Sequence, residues 1–186
     1  AEGCRDTADT AIQVYHLPLA KFQLANEIGC SPRTISVSNQ CIGADSLVWD
    51  YGDASALSNS TLSSQNHLYL NNSGVTKNYT TTLRAFTKFG CSDTITGQST
   101  VWSAVVARYA VQSGCHPNVI ANFKNTSSPN NINTWLWSFG DGSTSSAQNP
   151  SYTFTNTSNT QDKSYNIRLI VASPENCRDT LDTAIT

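Results

Sequence analysis

The residues with chemistry to offer are six cysteines, three histidines and an aspartate in a recurring C-x-D-T motif. The cysteines are Cys4, Cys30, Cys41, Cys91, Cys115 and Cys177. Thiolates could hold a metal or form disulfides. Zinc sites need Cys and His at short, paired spacings. Here His16, His67 and His116 each stand alone, with no C-x-x-C and no second His nearby. They read as solvated or turn histidines. Disulfides are therefore expected, and with them an oxidising, extracellular compartment. Catalysis needs a nucleophile with a base in reach, or paired carboxylates in a cleft. No G-x-S-x-G, H-E-x-x-H or G-x-x-x-x-G-K-[ST] is present, so no enzymatic activity is expected.

The cysteine spacing shows how the chain is organised. Cys4 to Cys91 is 87 residues, Cys91 to Cys177 is 86, and Cys30 to Cys115 is 85. Cys4 and Cys177 open C-R-D-T, and Cys91 opens C-S-D-T. Cys30 lies in G-C-S-P and Cys115 in G-C-H-P. Val48-Trp49-Asp50-Tyr51-Gly52-Asp53 matches Leu136-Trp137-Ser138-Phe139-Gly140-Asp141 at an offset of 88. Three markers with one period indicate an internal repeat. The expected units are a tail strand of a preceding repeat over 1–15, a repeat with a degenerate signature over 16–102, and a second repeat over 103–186. Only Cys41 lacks a counterpart, and Ser127 or Ser128 falls near its place. The chain has no Met, so it is expected to be a processed or excised section of a longer array.

Those markers must be positioned by strands. Tyr165, Ile167, Leu169 and Val171 are apolar at every second position, the pattern of a half-buried strand. Tyr79, Thr81, Leu83 and Ala85 follow the same phase, and Ile35/Val37 and Val119/Ala121/Phe123 alternate likewise. No segment holds a 3.6-residue period. Turn residues recur at Gly29 to Pro32, Gly52-Asp53, Asn72-Ser73-Gly74, Gly140-Asp141-Gly142, Asn149-Pro150 and Ser173-Pro174. The fold class is all-β, with tandem antiparallel sandwiches. Net charge is -2, with 13% charged residues. That excludes nucleic acid as the main partner, since no basic field exists to displace phosphate counterions. No apolar run approaches the roughly 18 residues of a membrane helix.

Trp135-Leu136-Trp137-Ser138-Phe139-Gly140-Asp141-Gly142, followed by Gln148-Asn149-Pro150 and Tyr152, resembles the PKD domain signature. The first copy is degraded: Tyr51 stands for Phe, Ala54 for the second Gly, and N-P is absent. The resemblance implies Ig-like sandwiches of about seven strands. It also implies a large secreted surface protein of the kind found in Bacteroidota. Trp137 and Phe139 should fill the sandwich core, with Trp135 on the same face, and Trp49 is the matching signature position of the first copy. Gly52-Asp53 and Gly140-Asp141 should form tight turns, the Asp bonding its own backbone. Some PKD relatives bind calcium near domain junctions, but no D-x-D-x-D-G loop supports it here, so no cofactor is expected.

The Ig-like topology bears on cysteine pairing. Equal spacing favours Cys30–Cys91 and Cys115–Cys177. In an Ig-like sandwich, however, those partners fall at opposite ends, about 20 Å apart, beyond the roughly 7 Å a disulfide spans between Cα atoms. Head-to-tail repeats instead bring Cys30 to Cys177. Cys4, Cys91 and Cys115 would then meet adjoining repeats, unless Cys41 captures Cys91. Five N-x-[ST] patterns, at Asn59, Asn71, Asn78, Asn125 and Asn156, read as compositional.

Two functions follow from this. One is a structural or adhesive section of a surface stalk, filament or adhesin. Its partners would be neighbouring repeats, copies of itself in a filament, and cell-surface glycans. The short, apolar Ile12-to-Pro18 connection suits end-to-end stacking. The other is an accessory module of a secreted hydrolase, binding glycan or collagen-like substrate through Trp102 and Tyr109. Those two rings are equally suited to pack a junction.

Overall fold

A computed structural model describes residues 3, 6, 8–59, 63–112 and 118–186. The described chain is built of strands. The first seven are β1 (Phe22–Ala25), β2 (Ile28–Cys30), β3 (Arg33–Asn39), β4 (Ser46–Asp50), β5 (Ser64–Tyr69), β6 (Lys77–Phe86) and β7 (Ser92–Trp102). The rest are β8 (Tyr109–Gln112), β9 (Asn118–Asn125), β10 (Thr134–Ser138), β11 (Thr144–Ser145), β12 (Ser151–Thr155), β13 (Tyr165–Ala172) and β14 (Arg178–Ile185). They form four sheets, ordered β1-β3-β5, β2-β7-β6-β4, β12-β9-β8 and β11-β10-β13-β14. The fold is all-β, built of mostly antiparallel sheets. One short pair, β2 on β7, is parallel.

The chain divides into two compact units. Unit 1 comprises Ala1–Ala25, Ser36–Gln65 and Thr80–Gly97, and unit 2 comprises Asn26–Ile35, Asn66–Tyr79 and Gln98–Thr186. In unit 1, β1 pairs with β3 and β4 with β6, both antiparallel. Trp49, Val37, Leu47, Leu83 and Ala85 are buried there, and the Phe22 ring meets Trp49 edge-on at 5.4 Å. In unit 2, β13 is the spine. It pairs with β10 on one side and β14 on the other. Ile167, Leu169 and Val171 are fully buried, and alternate residues of β13 face outward. This is the two-residue period of a strand with one wet face. Phe123 packs between Trp137 and Phe139, with ring centroids at 5.3 and 5.5 Å. Each fully buried ring or aliphatic side chain contributes about 1.5–3 kcal/mol.

Residues 8–18 carry no strand, and residues 1, 2, 4, 5 and 7 of the tail strand expected over 1–15 lie outside the described residues. A strand needs a neighbouring edge to satisfy its N–H and C=O groups, and among the described residues this segment pairs with none. Tyr15 instead stacks on Phe89, with ring centroids 3.7 Å apart.

Candidate functional site at the Cys30–Cys177 disulfide

Within unit 2, Cys30 and Cys177 are bonded, with Cα atoms 5.6 Å apart across 147 residues of sequence. Cys30 ends β2, where it lies opposite Trp102 of β7. The Ser31 N–H extends that contact to the Trp102 carbonyl at 3.0 Å. Cys177 follows a tight turn in which Cys177 O accepts from Ser173 N–H (2.9 Å) and Ser173 O from Asn176 N–H (2.9 Å). Asn176 takes a left-handed φ of 65°, which Asn tolerates better than most residues. Cys177 is buried, and Cys30 and Trp102 pack against the same core cluster.

Cys41 and Cys91 are free thiols, so the capture of Cys91 by Cys41 does not occur. Lys21 N–H donates to Cys41 Sγ, and the thiol lies 3.5 Å from Lys21 O. Ser127 makes the same pair of contacts with Arg108, at 2.9 and 3.0 Å. Ser127 is thus the counterpart of Cys41, and this thiol does the work of a hydroxyl. Cys4 and Cys115 lie outside the described residues.

Beside the disulfide sits a residue the sequence did not single out. Asn71 is fully buried, and every polar group it carries is engaged. Its Nδ2 donates to Val75 O (2.8 Å) and Val101 O (2.7 Å). Its Oδ1 accepts from Ser73 N–H and Oγ–H. Its backbone N–H donates to Ser31 Oγ at 2.7 Å, and its carbonyl accepts from Ala104 N–H at 2.8 Å. One residue, through its backbone and its side-chain amide, thus ties the residue after Cys30, the end of β7 and the chain beyond it. In the sequence this residue is only one N-x-[ST] match among five.

The signature turns are structural. Gly140 and Gly142 have φ of 83° and 94°, and Asp141 Oδ1 accepts from Ser143 N–H at 3.0 Å. Asp141 Oδ2 accepts from the Tyr152 hydroxyl at 2.6 Å, and the Tyr152 ring stacks on Phe139 at 4.1 Å. That hydroxyl holds the Asp141 carboxyl below its ordinary range, helped by the Ser143 N–H. The carboxylate in turn raises the phenol of Tyr152. Asn149 and Pro150 accept from the Asn125 and Phe123 N–H groups, so the N-P step locks onto β9. In the first copy Gly52 and Ala54 have φ of 72° and 64°, and Asp53 accepts from Ser55 N–H at 3.1 Å.

The C-x-D-T aspartates anchor backbone. Asp93 Oδ2 accepts from Ala20 N–H at 2.8 Å, and Asp179 Oδ2 from Ala107 N–H at 2.8 Å. Trp102 and Tyr109, named as a candidate glycan or junction pair, are half-buried against the unit 2 core. Tyr109 meets Trp137 and Phe123 edge-on, and burial pushes its phenol up. His16 lies 3.3 Å from Gly43 O, His67 packs edge-on to Tyr69, and His116 is outside the described residues. No group of three or more His, Cys, Asp or Glu able to hold a metal occurs among the described residues. Among the described residues no helix is long and apolar enough to cross a membrane.

Residues 105–186 match the family model of the PKD domain. No curated protein matches the chain. Among solved structures, a carbohydrate-binding module of the β-sandwich superfamily is similar at 13% identity and TM-score 0.42, over 92% of this chain and 99% of that one. A section of a 1.5-MDa bacterial ice-binding adhesin is similar at 9% identity and TM-score 0.39, over 92% and 64%. The amphioxus IgVJ-C2 molecule is similar at 11% identity and TM-score 0.35, over 86% and 99%. The PKD match, the disulfide and the all-β fold fit a non-catalytic extracellular domain.

Proposed function

We propose that this chain is a section of tandem PKD repeats in a structural or adhesive extracellular protein, a stalk or filament that holds its shape under pull. The observation that carries this reading is the Cys30–Cys177 bond. It joins residues 147 apart, one from each sequence repeat. A covalent bond there shields everything between the two cysteines from tension applied at the chain ends. A fully extended residue spans about 3.5 Å, so roughly 500 Å of chain is withheld from stretching. The recurrent turn and aspartate anchor add local stiffness to each copy.

Single-molecule stretching from the two ends tests it. Under oxidising conditions only the residues outside the bonded loop should extend. After reduction a further length of about 500 Å should be released. Release of that length without reductant would remove the mechanical basis of the proposal. An accessory glycan-binding role would require the chain to be retained by an insoluble polysaccharide or by collagen. We expect no retention, because Trp102 and Tyr109 pack against the core.

A further inference from the structure

The two sequence repeats share a register that the hydrogen bonds define. Ala107 and Ala20, 87 residues apart, donate to equivalent aspartates. Val106 and Leu19, also 87 apart, bridge to Ser128 and Ile42. In this register Gln13 corresponds to Thr100, Val14 to Val101 and Tyr15 to Trp102. Within unit 2 that stretch is covered. β2 lies along it in parallel, with Gly29 opposite Val101 and Cys30 opposite Trp102. Thr100 N–H donates to Glu27 O at 2.7 Å, and Trp102 O accepts from Ser31 N–H at 3.0 Å. Val101 is fully buried there.

The same stretch in unit 1 is bare. Val14 is 88% exposed, and Ile12 and Leu17 flank it at 87% and 73%. Gln13 N–H and Tyr15 O are the equivalents of the two backbone groups that hold β2, and neither has a partner among the described residues. Tyr15 stacks on Phe89, which belongs to the turn that ends at Cys91. That turn is built like the one at Cys177. Thr87 N–H donates to Cys91 O (2.8 Å) and Gly90 N–H to Thr87 O (3.0 Å), where Ser173 and Asn176 make the matching bonds at 2.9 Å. Gly90 has a left-handed φ of 87°, as Asn176 has one of 65°. Cys177 is buried and bonded to the cysteine of β2, whereas Cys91 is a half-buried free thiol. Unit 1 thus repeats the receiving side of the joint in unit 2: the bare backbone, the exposed valine and the thiol in its turn.

We propose that residues 12–17 and the Cys91 turn receive an extended strand of Ile-Gly-Cys-Ser-Pro type, carried by another repeat of the same kind. The strand adds in parallel along residues 13–15. The carbonyl before its isoleucine accepts from Gln13 N–H, and the N–H after its cysteine donates to Tyr15 O, as in β2. It covers Val14, and taking that apolar side chain out of water favours the joint. Its cysteine bonds Cys91. When the incoming cysteine is a mixed disulfide with a small thiol, the Cys91 thiolate attacks its sulfur. The small thiol leaves as a thiolate and takes up the proton that Cys91 gave up. One disulfide breaks and one forms, so no further oxidant is needed. The proposal rests on the tandem-repeat reading, but its failure would leave the single-chain stretching result untouched.

The probe is a peptide with the sequence of residues 27–33, Glu-Ile-Gly-Cys-Ser-Pro-Arg, as its mixed disulfide with glutathione. A scrambled peptide of the same composition is the control. Full chain is mixed with each, and peptide mass spectrometry follows the adducts at Cys91 and Cys41 over time. The native order should label Cys91 about tenfold faster than the scramble, because docking turns the exchange into a reaction within a complex. Both should label Cys41 at the same rate. Methylating the peptide N–H after its cysteine removes the donor to Tyr15 O and should erase most of the advantage. Val14→Asp alters a side chain exposed in the free chain, so folding should be unchanged by circular dichroism. The advantage should fall in that variant too, because a carboxylate is costly to bury without a partner. The proposal is overturned if the two peptides label Cys91 equally, or if the native order favours Cys41 as much. It is equally overturned if either the methylated peptide or Val14→Asp keeps the full advantage. A dimer in light scattering that Val14→Asp abolishes would also overturn it, since a second copy would then occupy this face.

Discussion

Asp179 Oδ2 accepts a hydrogen bond from the backbone N–H of Ala107 at 2.8 Å, across 72 residues of sequence. Ala107 is buried, so its N–H has little access to water in place of the carboxylate. A hydrogen bond to a charged acceptor contributes about 1.5–3 kcal/mol. Asp179→Ala should lower unfolding stability by about that amount in urea titration. Asp179→Asn keeps an acceptor and should recover part of the loss. A change within experimental scatter for Asp179→Ala would mean that the C-x-D-T aspartate does not anchor this segment.

The two signature turns should respond oppositely to glycine. Ala54 sits at φ 64°, where the second copy has Gly142 at φ 94°. A left-handed non-glycine residue costs about 1–2 kcal/mol, and glycine's extra freedom in the unfolded chain offsets part of that. Ala54→Gly should therefore stabilise by up to about 1 kcal/mol, and Gly142→Ala should destabilise similarly. Gly140→Ala should be worse, because an added Cβ would lie 2.7 Å from Asn166 N. Thermal melts of the three variants rank the effects.

The Asp141–Tyr152 pair predicts a dependence on acid. The carboxyl is held low in the fold, mainly by the tyrosine hydroxyl. A depressed carboxyl stabilises the fold above its ordinary pKa, and that contribution is lost as pH falls through the lowered folded value. Tyr152 has the reverse sense. Its raised phenol stabilises below its ordinary pKa, and the effect is lost as pH rises through the raised value. In Tyr152→Phe, carbon-13 NMR of the Asp141 carboxyl should show titration moving up toward the ordinary range. An unchanged titration would place the cause elsewhere.

Cys41→Ser should fold with stability close to the parent, since Ser127 makes the equivalent pair of contacts with Arg108. The unfolding free energy from urea titration should stay within about 0.5 kcal/mol of the parent, as for a substitution that breaks no buried interaction. A cooperative loss of structure would show that the thiol has a role no hydroxyl can fill.

Removing the long-range bond should cost much more. Chain entropy for a loop of this length corresponds to about 5 kcal/mol, against a total of about 5–15 kcal/mol for a domain. Cys30→Ser combined with Cys177→Ser should lower the unfolding midpoint strongly, and reductant should have no further effect on that variant. A midpoint unchanged from the oxidised parent would show that the bond constrains nothing.

Local geometry left clear traces in the sequence. The alternation of Tyr165, Ile167, Leu169 and Val171 reports a strand with one buried face, because side chains of a strand point to opposite sides in turn. Gly140-Asp141-Gly142 reports a tight turn, because a left-handed backbone excludes most side chains. Tertiary structure alone determined the rest. Asn71 matches the same short pattern as Asn156, yet only Asn71 has Ser31, Val101 and Ala104 brought around it to bury it. Cys41 lacked a counterpart in the sequence, but what its thiol does was visible only with Lys21 against its sulfur. Trp102 and Tyr109 could serve a surface or a core on paper, and packing placed both against the core. The reason is common to all three. Strand phase and turn handedness are written in consecutive residues, whereas burial depends on which distant segments arrive, and segment contacts are not encoded at any one position.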